Sequence, residues 1–126
     1  MKRLLTTLLL SLACFAANAE WTLLGSGNAS DRYVDLATKS RTGNIVSILV
    51  LNDNSKPSVL VGKTYYSTQG RMEFDCIGKT SEILQAKVFA GKMGRDEVVH
   101  NADRPSVKQL VSPNSADEGT LDFVCQ

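Results

Sequence analysis

The residues with the chemistry to act are few. His100 is the only histidine, so any histidine-dependent acid–base step would run through it. It sits in Val99-His100-Asn101-Ala102-Asp103, within a stretch that reads as loop. A general base needs an orienting partner to fix its tautomer and direction, and that setting supplies none. Glu73 and Asp75 lie two apart, so on a strand they share a face at roughly 7 Å. Paired carboxylates can cleave glycosides, but no cleft follows from the pattern, and the pair reads as a wet sheet face. Gly62-Lys63-Thr64 and Gly78-Lys79-Thr80 echo the end of a phosphate-binding loop. That loop also needs a glycine five residues earlier, where Pro57 and Glu73 stand. Both fall between expected strands, without a helix N-terminus to hold phosphate. No catalytic set emerges, and the chain reads as a non-enzyme.

The cysteines have a clearer use. Cys14 lies in an N-terminal segment where Lys2 and Arg3 precede an apolar stretch from Leu4 to Ala17 and then Ala17-Asn18-Ala19. A basic head, an apolar middle and a small-x-small site define a secretory signal peptide. The apolar stretch is shorter than the about 20 residues that span a bilayer. Cleavage after Ala19 makes residues 1–19 the leader and 20–126 one small domain beginning Glu20-Trp21. A competing reading lipidates Cys14, although Ser11 and Leu12 stand in the reverse of the usual lipoprotein order. In the exported domain only Cys76 and Cys125 remain. Two cysteines in an exported domain of this size most often pair; buried free thiols and an intermolecular bridge are the alternatives. The bridge would close a loop of about 50 residues, worth roughly 4 kcal/mol in the chain-entropy model. Two cysteines 49 positions apart and one histidine have no zinc spacing, so neither metal nor cofactor is expected.

Charge narrows the partners. With Lys2 and Arg3 removed, twelve basic residues face thirteen acidic ones, a formal net charge of −1. With no broad basic field, nucleic acid and anionic membrane surfaces therefore lack their usual electrostatic motive. No later apolar run could span a bilayer, since Ser47 interrupts the longest, Ile45 to Leu51.

The elements that must position these residues read mostly as strands. Trp21 to Leu24 opens the domain and Gly25-Ser26-Gly27-Asn28 breaks it. Arg32 to Leu36 alternates, and Arg41-Thr42-Gly43-Asn44 supplies turn chemistry. Ile45 to Leu51 is rich in β-branched and apolar residues and reads as a central strand. Asn52 to Pro57 reads as a loop and Val61 to Thr68 as the next strand. Arg71 to Cys76 alternates strictly, with Met72, Phe74 and Cys76 on one face and three charges on the other, as in an antiparallel sheet covered on one side. Gln69-Gly70 predicts a tight hairpin before it. Thr80 to Phe89 continues as a long strand with Leu84, Ala86 and Val88 on one face. Residues 90 to 106, glycine-rich and charged at their start, read as a long mobile loop. Ser115 and Glu118 then fit a capping box, and Leu121, Val124 and Cys125 share a helical face, though Gly119 weakens the helix by about 1 kcal/mol. Neighbouring strands without helices between them exclude a parallel βαβ sheet. The fold class is α+β, mostly β.

The order of these landmarks resembles the bacterial surface-adhesin protein E family. The resemblance runs through Trp21-Thr22-Leu23-Leu24-Gly25, Tyr33-Val34-Asp35, Val50-Leu51-Asn52-Asp53, Glu73-Phe74-Asp75-Cys76, Met93-Gly94, Glu97-Val98-Val99, Pro113-Asn114-Ser115 and Phe123-Val124-Cys125. Two departures stand out: Val107-Lys108-Gln109-Leu110 lies where the family often carries a tryptophan, and Asn114 replaces a common glycine. The resemblance implies a six-stranded antiparallel sheet, a C-terminal helix packed on one face, and bridged cysteines. It implies proteins that sit on bacterial surfaces, bind host extracellular-matrix and serum proteins, and can form homodimers. The family's binding residues match nothing here position by position, so none is carried over.

Two functional classes follow. One is an exported binding protein, an adhesin for host matrix or serum proteins, acting through a sheet face or strand edge. The other is a periplasmic accessory protein binding another envelope component, or a small periplasmic enzyme. Location is exported in either case: periplasm, outer-membrane surface or secreted. Arg71, Glu73 and Asp75 on the wet face, with Lys92 and Arg95 in the loop, are the surface candidates.

Overall fold

A computed structural model describes residues 20–126. The expected leader and Cys14 lie outside the described residues. The elements are β1 (Trp21–Ser26), β2 (Ser30–Thr42), β3 (Ile45–Leu60), β4 (Lys63–Asp75), β5 (Thr80–Phe89), a 3-10 turn (Lys92–Gly94), β6 (Val98–Ala102), β7 (Gln109–Leu110) and α1 (Ala116–Val124). Six strands form one antiparallel sheet in sequence order, and the two-residue β7 pairs with the other end of β5.

Register decides which residues face the helix. Val34 lies opposite Val50, Ile48 opposite Met72, and Val46 opposite Phe74. Cross-strand partners share a face, so these six line one side, where Leu121 and Val124 of α1 complete the buried core. The expected α+β fold with its C-terminal helix on one face is what forms. Ser115 caps the helix by accepting from Glu118 N (3.1 Å), while Glu118 Oε1 accepts from Asn114 N (3.3 Å). Asn114 has φ 59°, a left-handed position that suits glycine first and asparagine next.

The far end of the helix is pinned. Cys76 and Cys125 are bonded, with Cα atoms 5.7 Å apart. The bridge ties the end of α1 to the residue that follows β4.

Several elements differ from expectation. Asn52 to Pro57 is not a loop: β3 runs on to Leu60. Its register against β4 shifts between Asp53 and Ser58, so Pro57 falls in a bulge where its missing N–H costs no ladder bond. Gln69-Gly70 is not a turn but lies mid-β4, with Gly70 opposite Val50 and Ala86. A Cβ there would come within 3.2 Å of Gln85 O; the glycine serves close approach. The β3–β4 turn is Val61-Gly62, with φ 49° and 73°, the arrangement of a type I′ hairpin. On β5 a bulge shifts Leu84 out of register: Gln85 pairs with Arg71 and Ile83 with Met72. Ile83, rather than Leu84, therefore shares the face of Ala86 and Val88. Residues 90 to 106 are not one long loop. The 3-10 turn docks on the sheet, and β6 pairs with β5 from Ala86 to Phe89.

Candidate functional site

The helix covers one face of the sheet. On the other face three rows run across the strands: Tyr33–Leu51–Gln69–Lys87, Asp35–Leu49–Arg71–Gln85 and Ser47–Glu73–Glu82. No α-helix among the described residues lies on this side. Arg71 and Lys87 place positive charge in neighbouring rows. Glu73 and Glu82 place two carboxylates directly opposite each other further along. Like charges opposed across strands repel, so an approaching cationic group would relieve them. Arg71 is fixed in direction by donating from Nη1 to Ser47 Oγ (3.0 Å). The result is a half-open surface with its two charge signs separated along the strands.

One end of this face is closed by the 3-10 turn, and buried polar side chains hold it there. Asp53 Oδ1 accepts from Met93 N (2.7 Å), and its other oxygen lies 3.4 Å from Lys92 Nζ. Ser67 Oγ donates to Gly91 O (2.6 Å) and accepts from Gly94 N (2.9 Å). Asp53 and Ser67 are both buried, so the turn forms part of the scaffold.

On the helix side, a cleft of about 500 Å³ opens between β1, β2 and the start of α1. Leu24 and Phe123 give it apolar walls, and Arg32 and Asn52 lie on its inner side. Arg32 donates from Nε to Asn52 Oδ1 (2.9 Å) and from Nη1 to Asp117 Oδ1 (2.6 Å) and Thr120 Oγ1 (3.2 Å). Its charge is already engaged, so it ties helix to sheet.

The sequence profile of the surface-adhesin protein E family matches residues 21–126. The chain belongs to that family. Haemophilus influenzae protein E in its crystal form II has the same fold, with a TM-score of 0.63 at 9% identity over 86% of this chain and 96% of that one. Protein E from non-typeable Haemophilus influenzae gives 0.60 at 10% identity, covering 86% and 78%. No curated protein matches this chain.

In this surface-adhesin family member the surface candidates fall in three places. Arg71 and Glu73 lie on the open face as expected. Asp75 does not project as a free contact: its Oδ1 accepts from Gly78 N (2.8 Å) and Ile77 N (3.0 Å). The Gly78 amide, helped by that of Ile77 and by Lys108, holds its carboxyl below the usual value against the opposing effect of burial. Lys92 is drawn onto Asp53 and donates to Asn54 O (3.0 Å). Arg95 is exposed beside it. His100 lies on β6 opposite Val88, away from Glu73. Gly62-Lys63-Thr64 and Gly78-Lys79-Thr80 occupy a hairpin and a turn between strands, and neither leads into a helix. Sequence reasoning missed Glu82 and Lys87, which join Arg71 and Glu73 only once register is known. It also missed Arg32, whose partners lie as far as 88 residues away.

Among the described residues, no three His, Cys, Asp or Glu gather as a metal site. No described helix is long and apolar enough to cross a membrane.

Proposed function

We propose that this protein is an exported adhesin of the bacterial envelope that binds a protein partner without turning over a substrate. Membership of the surface-adhesin protein E family across residues 21–126 carries the reading. The open sheet face supports it: a broad surface with separated charges suits a protein carrying the complementary pattern. Host extracellular-matrix or serum proteins are the proposed ligands, and cleavage after Ala19 the proposed maturation. A net charge near zero makes such binding a matter of local patches.

The test immobilises the exported domain and measures binding to matrix and serum proteins beside envelope extracts of its own cells. Saturable, salt-sensitive binding to host proteins, weakened by Arg71→Glu with Lys87→Glu, is the expected result. Binding only to its own envelope components would replace the adhesin reading with that of an accessory protein. Turnover of a substrate abolished by His100→Ala would overturn both.

A further inference from the structure

The β3–β4 hairpin ends in an apolar tip that the fold itself does not need. β2 accompanies β3 only as far as Asn54, and β5 accompanies β4 only from Ser67. Beyond those residues β3 and β4 continue alone, paired Ser58 with Tyr65, Val59 with Thr64 and Leu60 with Lys63. This two-stranded ribbon is paired on neither outer edge, and Val99 and His100 of β6 lie near its end. At its end Val59 is 69% exposed and Val61 90% exposed.

Val61 is the telling residue. It occupies the first central position of the turn with φ 49°, where a β-branched side chain is disfavoured and asparagine is the ordinary choice. The position is strained, and the isopropyl group it displays is almost wholly in water. Neither local geometry nor core packing accounts for valine there, which points to an outside apolar contact.

The surroundings identify that contact. Lys56 and Lys63 flank the tip and are exposed, and from Asn54 to Met72 the chain contains no carboxylate. Tyr65 and Tyr66 follow at the base of the ribbon, half-buried. Val99 and His100 of β6 lie beside it, leaving a gap of about 200 Å³ against Leu60, Val61 and Lys63. Asp96 and Glu97 immediately precede β6 and are the acidic groups on that neighbouring segment. Aliphatic side chains at the end, lysines that can snorkel, and tyrosines one step back are the order of groups found across a membrane interface. A protein-binding hot spot favours Trp, Tyr and Arg, with Leu and Val under-represented and Lys depleted.

We propose that the Val59–Lys63 tip is a membrane-contact device. It inserts Val59, Leu60 and Val61 among the headgroups of an anionic phospholipid surface while Lys56 and Lys63 pair with lipid phosphates. Contact is reversible, since three aliphatic side chains and two lysines make only a weak anchor. This inference does not depend on the matrix-binding reading, which rests on family membership and the open sheet face.

The experiment is co-sedimentation of residues 20–126 with vesicles of phosphatidylcholine, with and without phosphatidylglycerol. The wild type should bind the anionic vesicles more and be released by salt. Lys56→Gln and Lys63→Gln should each weaken binding about fivefold, and Val61→Asn should weaken it several-fold with the fold and disulfide intact. Val59→Ser serves as a second apolar variant. Equal binding to neutral and anionic vesicles, or unchanged binding by both apolar variants, overturns the proposal. So does a wild type that binds no vesicle but loses a protein partner on Val61→Asn.

Discussion

Arg32 of β2 and Asp117 in the first turn of α1 meet at 2.6 Å, with 16% and 35% of their side-chain surfaces exposed. The contact spans 85 positions of sequence and sets the start of the helix over the sheet, as the disulfide sets its end. An acidic residue in a helix's first turn also complements the backbone dipole. The helix is short, nine residues, and its own propensity would not hold it in water. Its position therefore depends on both fastenings and on Leu121 and Val124 between them.

Removing Arg32 should accordingly cost more than a surface ion pair. Arg32→Ala leaves Asn52, Asp117 and Thr120 without a shared donor and should lower stability by roughly 2 kcal/mol. Denaturant unfolding of Arg32→Ala, Asp117→Ala and the double variant checks this. Strict additivity would show that the pair is not coupled.

The bond between Cys76 and Cys125 should account for a large share of the total stability. Closing a 49-residue separation constrains the unfolded chain by roughly 4 kcal/mol. Replacing both cysteines with alanine should lower the denaturant midpoint accordingly. The wild type, denatured without reductant, should show no reactive thiol.

The buried Asp53 should control the order of the 3-10 turn. Asp53→Ala strands the Met93 amide, and hydrogen exchange at Met93 and Gly94 should accelerate while β3 and β4 stay protected. Asp53→Asn keeps an acceptor for Met93 N and should exchange more slowly than the alanine variant. Equal exchange in all three proteins would place control of the turn elsewhere, at Ser67.

These contacts show where the sequence was legible. Strict alternation from Arg71 to Cys76 identifies a strand with one dry face, because period-two patterning is a local signal; the strand itself ends at Asp75. Ser115 and Glu118 marked the helix start for the same reason. Asn52 and Asp53, by contrast, looked like loop residues because their polarity invited that reading. Inside the fold Arg32 and Thr68 satisfy Asn52, and Met93 and Lys92 satisfy Asp53. Partners that distant leave no local trace. Gly70 misled similarly, since a glycine chosen for close backbone approach cannot be told by type from one chosen for a turn. The open face was half legible: Arg71 and Glu73 announced it, but Glu82 and Lys87 joined it only through register and a bulge.

Asp75 supplies a pH prediction. Amide hydrogen bonds from Gly78 and Ile77 depress its folded pKa below the usual value, so the unfolded chain takes up its proton first as pH falls. The stabilisation is therefore full above the ordinary carboxylate value of about 4 and is lost as pH drops through the lower folded pKa. Asp75→Asn keeps the acceptor and removes the charge. Its stability deficit should be constant near neutral pH and shrink below about pH 4; a deficit independent of pH would contradict the assignment.

Val61→Asn should separate folding from binding. A left-handed conformation costs a branched L-residue about 1–2 kcal/mol, and asparagine before Gly62 removes most of that in a turn of this kind. With 90% of Val61 exposed, the substitution gives up almost no burial in return. The variant should unfold at higher denaturant by about 1 kcal/mol, with an unchanged slope. Loss of vesicle binding in a protein that has become more stable cannot be a folding defect. A destabilised Val61→Asn would instead show that the valine packs within the fold, against Leu60 and Val99, and would remove the reason for assigning it an outside contact.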